Sequence, residues 1–352
     1  MAIKITGVGS YIPNLVTPNE AFEKNEFYNE DGTRFNANNK VIIEKFKSIT
    51  GIEERRYVEN HLNNSDIAAI AAQKAIDDAN VDAEDLDYII LAQNYGDVKF
   101  GTHQSDMVPS VATRVKHKLG IKNPKSVAYD VMFGCPGWIE GVIQAYAFMK
   151  AEMAKKCLVV GSETLSRVVD ANDRDSMIFS DGSGAVVLEK TKGDDGILAY
   201  ESATFAYEEA NYIFFGESFN KENTNGTRYI KMNGRKIYEF ALNHVPMAMK
   251  FCLEKANVDI KDVKKILIHQ ANEKMDEAIV IRFYKLFGIE MPENIMPMSI
   301  DKLGNSSVAT VPTLYDLILK GKMENHQINE GDVIIFASVG AGMNINAIVY
   351  KV

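Results

Sequence analysis

The chain is poor in cysteine, with only three in 352 residues, and they lie far apart at positions 135, 157 and 252. An odd number of widely spaced cysteines is not typical of a disulfide framework, so a reducing compartment such as the cytoplasm is our expectation. The sequence also contains no CxxC pair and no HExxH motif, and it therefore offers no recognisable metal site. We expect no metal.

Positive charge is scarce as well, because 39 Lys and Arg face 48 Asp and Glu and leave a formal net charge of -9. A surface of this sign disfavours binding to nucleic acid, although a local basic patch can still recognise a small acidic partner. The first residues lack the basic and apolar segments of a signal peptide, so we expect none.

Long uncharged runs are also rare, and the one that could suggest a membrane span covers the 18 residues at 333–350. Glycines at 340 and 342 and asparagines at 344 and 346 interrupt this run. Such an interruption predicts two buried strands joined by a glycine turn rather than a membrane span.

Two segments about half a chain apart resemble one another. AIDDANVDAEDLDYIILAQ at 75–93 and CLEKANVDIKDVKKILIHQ at 252–270 align with a constant offset of 177 positions, and seven positions are identical. Each copy is typical of a helix end, a short turn and a buried strand. A second pair, LVVGSE at 158–163 and IIFASV at 334–339, keeps nearly the same offset. The shared spacing favours an internal duplication over a chance likeness.

A duplicated chain of mixed helices and strands predicts an α/β protein with pseudo-twofold symmetry. We expect the first half to span residues 1–190 and the second half to span residues 197–352, with TKGDDG at 191–196 as the linker. The polar, asparagine-rich segment at 26–39 is expected to be a surface insertion.

Cys135 lies between a predicted strand and a predicted helix, in the segment SVAYDVMFGCPGWIEG. Gly134 allows a tight turn, and Pro136 suits the first turn of a helix that is apolar on nearly all sides. Free N–H groups and the macrodipole at a helix start favour an anion, so we expect a thiolate with a lowered pKa. The alternative is a buried structural cysteine, which is our expectation for Cys157 and Cys252.

His269 and Asn305 are the candidate partners of this cysteine. His269 ends an apolar strand, and its duplicate in the first half is Ala92, so one copy carries an imidazole where the other carries a methyl group. Asn305 follows Gly304 in a turn before the next helix. Near the C-terminus, SVGAGMN forms a flexible turn that could direct backbone N–H groups into a cavity. Taken alone, each of these features is more typical of a structural role than of a catalytic one.

Together these segments resemble the ketosynthase III family of the thiolase fold, and the resemblance covers nearly the whole chain. The ordered motifs are TGIEERR at 50–56, DVMFGCPGW around Cys135, HQAN at 269–272, GNSS at 304–307 and SVGAGM at 338–343. The resemblance implies two duplicated halves in a layered αβαβα arrangement with mixed five-stranded sheets, and a cytoplasmic homodimer.

The resemblance further implies a decarboxylative Claisen condensation of an acyl thioester with malonyl-[acyl-carrier-protein], in fatty-acid initiation or a related pathway. Cys135 would carry the acyl group, and the backbone N–H groups of Cys135 and Ala341 would form an oxyanion hole. His269 and Asn305 would hydrogen-bond the thioester oxygen of the malonyl group. Acyl-CoA or acyl-carrier thioesters would be the substrates, without a cofactor.

Four further positions take expected binding roles from the resemblance. The segment from Gln270 to Lys274 matches the one that meets acyl carrier protein, while Arg167 and Asn272 match positions that contact coenzyme A. Two more basic residues, Arg282 and Lys285, follow Lys274 on the same predicted helix. An acidic carrier could dock on that basic patch despite the negative net charge of the chain.

The chain also departs from the family pattern. Lys45 and Ile49 stand where the family often has a tryptophan and an arginine that grip the adenine of coenzyme A. The acyl pocket is expected to extend across the dimer to Met107 and Val108, and Val108 is smaller than the usual side chain. These departures suggest a longer or branched acyl donor, or a donor delivered by a carrier protein.

Three alternatives follow from the same residues. A biosynthetic thiolase would need a second cysteine near the C-terminal glycine turn, and the sequence has none there. A specialised ketosynthase III-like acyltransferase or condensing enzyme of secondary metabolism stays open. A non-catalytic scaffold subunit of a condensing-enzyme heterodimer is the alternative from another class, and the presence of all three candidate residues disfavours it.

Overall fold

Strands and helices alternate along the chain, and the computed structural model describes all 352 residues. The strands are β1 (Ala2–Tyr11), β2 (Leu15–Pro18), β3 (Glu54–Tyr57), β4 (Tyr88–Ala92), β5 (Asp97–Val98), β6 (Ser105–Asp106), β7 (Val127–Val131), β8 (Lys156–Thr164), β9 (Asp181–Thr191), β10 (Gly196–Thr204), β11 (Ile213–Glu217), β12 (Arg228–Met232), β13 (Val263–Ile268), β14 (Val333–Gly340) and β15 (Asn344–Lys351). The α-helices are α1 (Asn39–Thr50), α2 (Asn64–Ala79), α3 (Val111–Lys118), α4 (Gly137–Lys150), α5 (Gly234–Ala256), α6 (Glu273–Lys285), α7 (Ile300–Leu303) and α8 (Thr310–Leu319).

Nine strands form one continuous mixed sheet in the order β13-β14-β15-β10-β1-β9-β8-β4-β7. The first half supplies five of these strands, as expected, and they are β1, β9, β8, β4 and β7. The second half supplies four strands, not the expected five, and its sheet joins the first because β1 and β10 pair in parallel at Ile3 and Gly196. Strand β4 is parallel to both of its neighbours, β7 and β8, whereas β9 is antiparallel to both of its neighbours, β1 and β8.

The duplicated segments adopt matching conformations. Asn80 and Asn257, which end α2 and α5, both have φ 52° and ψ 44°, the left-handed conformation that asparagine tolerates better than most residues. The side chains of Asp82 and Asp259 each accept a hydrogen bond from the backbone N–H two residues further on. The strands that follow, β4 and β13, pair in parallel with β8 and β14. The boundary between the halves, at residues 190 and 197, stays a prediction.

Five layers result from the way the helices cover this sheet. Helices α4 and α8 form the central layer, because one core joins Trp138 of α4 and Leu314 of α8 to strands of both halves, including Val159 and Phe336. Helices α2 and α3 cover the outer face of the first half, and α5 and α6 cover that of the second. This is the expected αβαβα order, and it explains why the sequence of α4 is apolar on nearly all sides.

The uncharged run near the C-terminus forms the antiparallel strands β14 and β15. A turn at 341–343 joins them, and Gly342 adopts φ 76° there, a conformation that favours glycine. None of the helices combines the length and the apolar character that crossing a bilayer would require. The segment at 26–39 lies mostly at the surface beside α1, with Phe27 as its buried anchor.

Candidate active site

The carboxyl ends of strands from both halves converge on one cavity of about 210 Å³. Cys135 reaches it from the first half, while His269 and Asn305 reach it from the second. Ligands of α/β proteins commonly bind at such strand ends, where side chains from several strands meet. Most of the remaining lining is apolar and comprises Leu165, Ile178, Phe179, Ile213, Ile230, Met232, Ile237, Tyr238, Met275, Val339 and Met343.

Cys135 lies in a tight turn that leads into α4. Gly134 adopts φ 64°, and a Cβ atom on it would lie 2.6 Å from the backbone nitrogen of Ala341. The turn therefore packs directly against the C-terminal glycine turn. The side chain of Asn344 holds the two turns together, since its amide donates to the carbonyls of Phe133 at 3.2 Å and Ala341 at 2.8 Å.

The thiol of Cys135 is more basic than the sequence suggested. Burial raises its pKa to about 11, the hydroxyl of Ser307 opposes this by donating to Sγ at 3.3 Å, and the charge of Glu163 adds to the rise. Our expectation of a lowered pKa is wrong for the chain alone, because burial of the thiol outweighs the groups that stabilise its anion.

His269 directly follows β13, where its backbone N–H donates to the carbonyl of Ala337 at 2.9 Å. Burial lowers the pKa of its imidazole to about 4, with a backbone hydrogen bond to Ser307 opposing the effect. The ring is therefore neutral at pH 7, with one nitrogen as donor and the other as acceptor. Its Nδ1 atom is buried and has no partner within the chain.

Asn305 is fixed on three sides. Its N–H donates to the carbonyl of Ile178 at 3.0 Å, and its own carbonyl accepts from the N–H of Ser180 at 2.8 Å. The side-chain oxygen accepts from the N–H of Ser307 at 2.8 Å. Because the amide oxygen is engaged, the NH₂ group of Asn305 is the part of the side chain that can donate to a molecule in the cavity.

Sequence reasoning missed a buried carboxyl near the cysteine. Burial raises the pKa of Glu163 to about 7, while hydrogen bonds from Asn94 oppose the rise. Glu163 accepts from the backbone and side chain of Asn94 at 3.0 and 3.4 Å, and the side chain of Asn94 accepts from the N–H of Gly134 at 3.1 Å. The signal was present, because the duplicate of Glu163 is Val339, so one copy has a carboxyl where the other is apolar.

The hairpin of β11 and β12 forms one wall of the cavity through Ile213, Ile230 and Met232. Lys231 anchors this hairpin from its opposite face. Its ammonium group is buried, and it pairs with Asp170 at 2.6 Å and Asp173 at 3.1 Å. A lysine buried in this way is stable only because two carboxylates surround it.

Two of the predicted binding residues make hydrogen bonds inside the fold. Arg167 is only 6% exposed, and its guanidinium donates to the carbonyls of Val98, Glu59 and Leu62 inside the fold.

Gln270 is fully buried; it donates to the carbonyl of Pro297 at 2.9 Å and accepts from the N–H of Ser299 at 2.9 Å. Its duplicate Gln93 similarly accepts from the N–H of Gly96. Neither Arg167 nor Gln270 lines the cavity, and their contact with coenzyme A or a carrier protein stays a prediction.

The other expected binding residues are accessible. Asn272 lines the cavity and caps α6, where its side chain accepts from the N–H of Met275 at 3.1 Å. Lys274 is exposed in the first turn of the same helix. Val108 is 86% exposed and Met107 is half-buried, and neither lines the cavity of its own chain.

A groove of about 600 Å³ adjoins the cavity and shares Ile178, Met232 and Asn272 with it. Helix α1 contributes Lys45 and Ile49 to one wall, so the two residues that stand where the family often has a tryptophan and an arginine lie at this groove. Most of the rest of that wall is apolar and includes Val41, Ile42 and Phe46.

Comparison with known proteins agrees with this architecture. Residues 129–205 match the family model described as 3-oxoacyl-[acyl-carrier-protein] synthase III, and residues 253–352 match the model of its C-terminal part. The chain is 33% identical over 340 residues to beta-ketoacyl-[acyl-carrier-protein] synthase III 1 of Halalkalibacterium halodurans, covering 96% of this chain and 95% of the relative. It is 35% identical over 350 residues to beta-ketoacyl-[acyl-carrier-protein] synthase III of Clostridium beijerinckii, covering 98% of each.

A solved structure extends the likeness to the whole fold. The crystal structure of 3-oxoacyl-[acyl-carrier-protein] synthase III from Aquifex aeolicus matches with a TM-score of 0.80 at 30% identity, and the match covers 100% of both chains. Identity at this level over the full length shows that the chain belongs to the 3-oxoacyl-[acyl-carrier-protein] synthase III family of thiolase-fold enzymes.

Proposed function

We propose that the chain catalyses the decarboxylative condensation of an acyl thioester with malonyl-[acyl-carrier-protein], in fatty-acid initiation or a related pathway. The products are 3-oxoacyl-[acyl-carrier-protein], carbon dioxide and the free thiol of the donor. The observation that carries the proposal is that Cys135, His269 and Asn305, contributed by both halves, line a single cavity. Membership of the family supports the same reaction.

In the first step the sulfur of Cys135 attacks the carbonyl carbon of the acyl donor. A new carbon–sulfur bond forms, the donor's carbon–sulfur bond breaks, and the departing thiolate takes up the proton that Cys135 has lost. The negative charge that develops on the carbonyl oxygen would be stabilised by the N–H groups of Cys135 and Ala341. The N–H of Cys135 suits this role because it makes no backbone hydrogen bond.

In the second step the malonyl group loses carbon dioxide, and the electrons of the broken carbon–carbon bond form an enolate. Asn305 and the neutral His269 would each donate a hydrogen bond to the enolate oxygen. A buried ring that stays neutral at pH 7 can hold an N–H donor beside this oxygen without bringing a second charge. The enolate carbon then attacks the acyl group on Cys135, whose sulfur leaves as a thiolate and is reprotonated.

The partners are proposals as well. An acidic acyl carrier protein would dock near Lys274, because this lysine is exposed beside Asn272, which lines the cavity. Lys285 is exposed further along the same helix, whereas Arg282 already donates to Leu242 and Asn243. A homodimer would bring the exposed Val108 of each subunit to the acyl pocket of the other.

A second candidate is a specialised condensing enzyme that takes a longer or carrier-bound acyl donor. The apolar wall of the adjoining groove favours it, because Ile49 and Val41 offer aliphatic surface rather than a flat partner for adenine. A non-catalytic scaffold subunit is disfavoured, since the three reactive side chains share a cavity.

The test is to incubate the chain with acyl-CoA and acyl-carrier donors of increasing length and to measure the mass added to the Cys135 peptide. We expect the acyl mass on wild type and on the control Cys252→Ala, whose thiol is buried in α5, but not on Cys135→Ala. Malonyl-[acyl-carrier-protein] should then remove the adduct and give a 3-oxoacyl product. An adduct that persists in Cys135→Ala would show that the nucleophile lies elsewhere.

A further inference from the structure

One serine contacts all three residues of the proposed reaction. The hydroxyl of Ser307 donates to Cys135 Sγ at 3.3 Å, and its backbone N–H donates to the side-chain oxygen of Asn305 at 2.8 Å. Its backbone also forms the hydrogen bond that acts on the imidazole of His269. Ser307 lines the cavity with them.

The backbone of Ser307 adopts an unfavourable conformation that serves this arrangement. Its φ is 53°, in the left-handed region that residues other than glycine, asparagine and aspartate seldom occupy. Such conformations persist where the surrounding structure imposes them, and they concentrate at functional sites. The neighbouring Ser306 has φ −93°, and its hydroxyl pairs with Thr310 rather than with the thiol.

No cation near the thiol could take over the role of this hydroxyl. The titratable groups that face Cys135 are Glu163 from the end of β8, Tyr95 after β4 and His269 after β13. A carboxylate repels a thiolate, a phenol is uncharged, and the imidazole is neutral at pH 7. Ser307 is the one side chain that donates a hydrogen bond to the sulfur.

We propose that Ser307 is a fourth catalytic residue, whose hydroxyl stabilises Cys135 in the ionised form that attacks the thioester. A hydrogen bond to an ionised acceptor is roughly twice as strong as one between neutral groups. The hydroxyl therefore stabilises the thiolate more than it stabilises the thiol or the acylated sulfur. It assists both when Cys135 attacks the donor and when Cys135 leaves the condensed product. The inference rests on the proposed function for the role of Cys135, but ionisation of the thiol is measurable without any acyl substrate.

The test is the rate at which iodoacetamide alkylates Cys135, followed by mass spectrometry of its peptide from about pH 7 to about pH 9. Below its pKa a thiol reacts in proportion to its thiolate fraction, so loss of the hydroxyl should lower the rate at every pH. We expect a fall of about tenfold for Ser307→Ala, which corresponds to a rise of about one pKa unit or about 1.4 kcal/mol. The control Ser306→Ala should react like wild type.

A second variant separates the hydroxyl from the backbone. Ser307→Gly also removes the hydroxyl, but it relieves the left-handed strain and keeps the N–H that holds Asn305. The proposal requires the same fall in both variants. It is overturned if both react at the wild-type rate, if only the alanine variant slows, or if Ser306→Ala slows equally. If alkylation behaves as expected but no acyl adduct forms on Cys135, the proposed function fails while the role of Ser307 in ionisation stands.

Discussion

Replacing Gly340 by alanine should inactivate the site without unfolding the chain. Gly340 ends β14 with an extended backbone, φ −168°, which any residue can adopt, so backbone strain plays no part. The effect of the substitution depends instead on whether the turn around Cys135 has room for the added methyl group. A Cβ atom on residue 340 would clash with the backbone nitrogen of Cys135. It would also lie 2.7 Å from Cδ of Pro136 and 2.9 Å from Cβ of Cys135.

The required displacement can be read from these contacts. Ordinary contact begins at 3.4 Å, so Pro136 has to withdraw from 2.7 to 3.4 Å, and the nitrogen of Cys135 has to move further because it lies nearer. Neither atom belongs to the end of a flexible side chain, and Asn344 ties this turn to its neighbour. Cys135, the proposed nucleophile, should therefore shift by nearly 1 Å, and a misplacement of that size can cost about 10²-fold in rate.

The assay is kcat/KM for condensation together with the rate of acyl transfer to Cys135, and thermal unfolding reports whether the fold survives. We expect kcat/KM to fall about 10²-fold in Gly340→Ala. The matched control is Gly182→Ala, in β9, where the nearest atom to the added methyl is Cβ of Ser306 at 3.4 Å. Gly182→Ala should keep its activity. Wild-type acylation by Gly340→Ala would refute the argument that the two turns are in rigid contact.

Two further predictions concern buried charges. Burial raises the pKa of Glu163 from 4.5 to about 7, so the folded chain holds a proton that the unfolded chain releases, and stability falls as pH rises across this interval. Between about pH 5 and about pH 8, the free energy of unfolding of the wild type, measured by urea titration, should therefore fall by roughly 2.5 kcal/mol more than that of Glu163→Gln. An equal fall in both would contradict this prediction. Lys231→Met leaves Asp170 and Asp173 buried without their cation and should lower the free energy of unfolding by about 3–5 kcal/mol. A loss below about 1 kcal/mol would show that the hairpin does not depend on this ion pair.

The turn at Cys135 and the elements around it could be predicted from the sequence, because they depend on local patterns of residues. A glycine before Cys135 and an apolar helix after it were sufficient to predict the tight turn and the central position of α4. The constant offset of the duplication predicted that β4 and β13 are equivalent strands. Asn80 and Asn257, which precede them, accordingly share their backbone angles.

The burial of a side chain is what the sequence could not predict. Whether a side chain that ends a strand faces a cavity or the interior depends on which carbonyls approach it, and those belong to distant segments. Arg167 meets carbonyls about 70 to 110 positions away, which no local pattern reveals. The pKa of the Cys135 thiol was misjudged for the same reason, since burial raises it most and the charge of Glu163, a residue outside its own turn, adds to the rise.

The comparison of the two copies suggests a physical rule for this chain. Where the copies agree, they repeat a local structure, since Gln93 and Gln270 both accept a backbone N–H just beyond their strands. The proposed catalytic His269 and the buried carboxyl of Glu163 lie at positions where the copies differ, since their duplicates are an alanine and a valine. A duplicated fold needs the same turns twice, but the cavity lies between the halves and needs each catalytic group only once. Comparing the two halves position by position therefore distinguishes Gln270, whose duplicate is also a glutamine, from Glu163, whose duplicate is a valine.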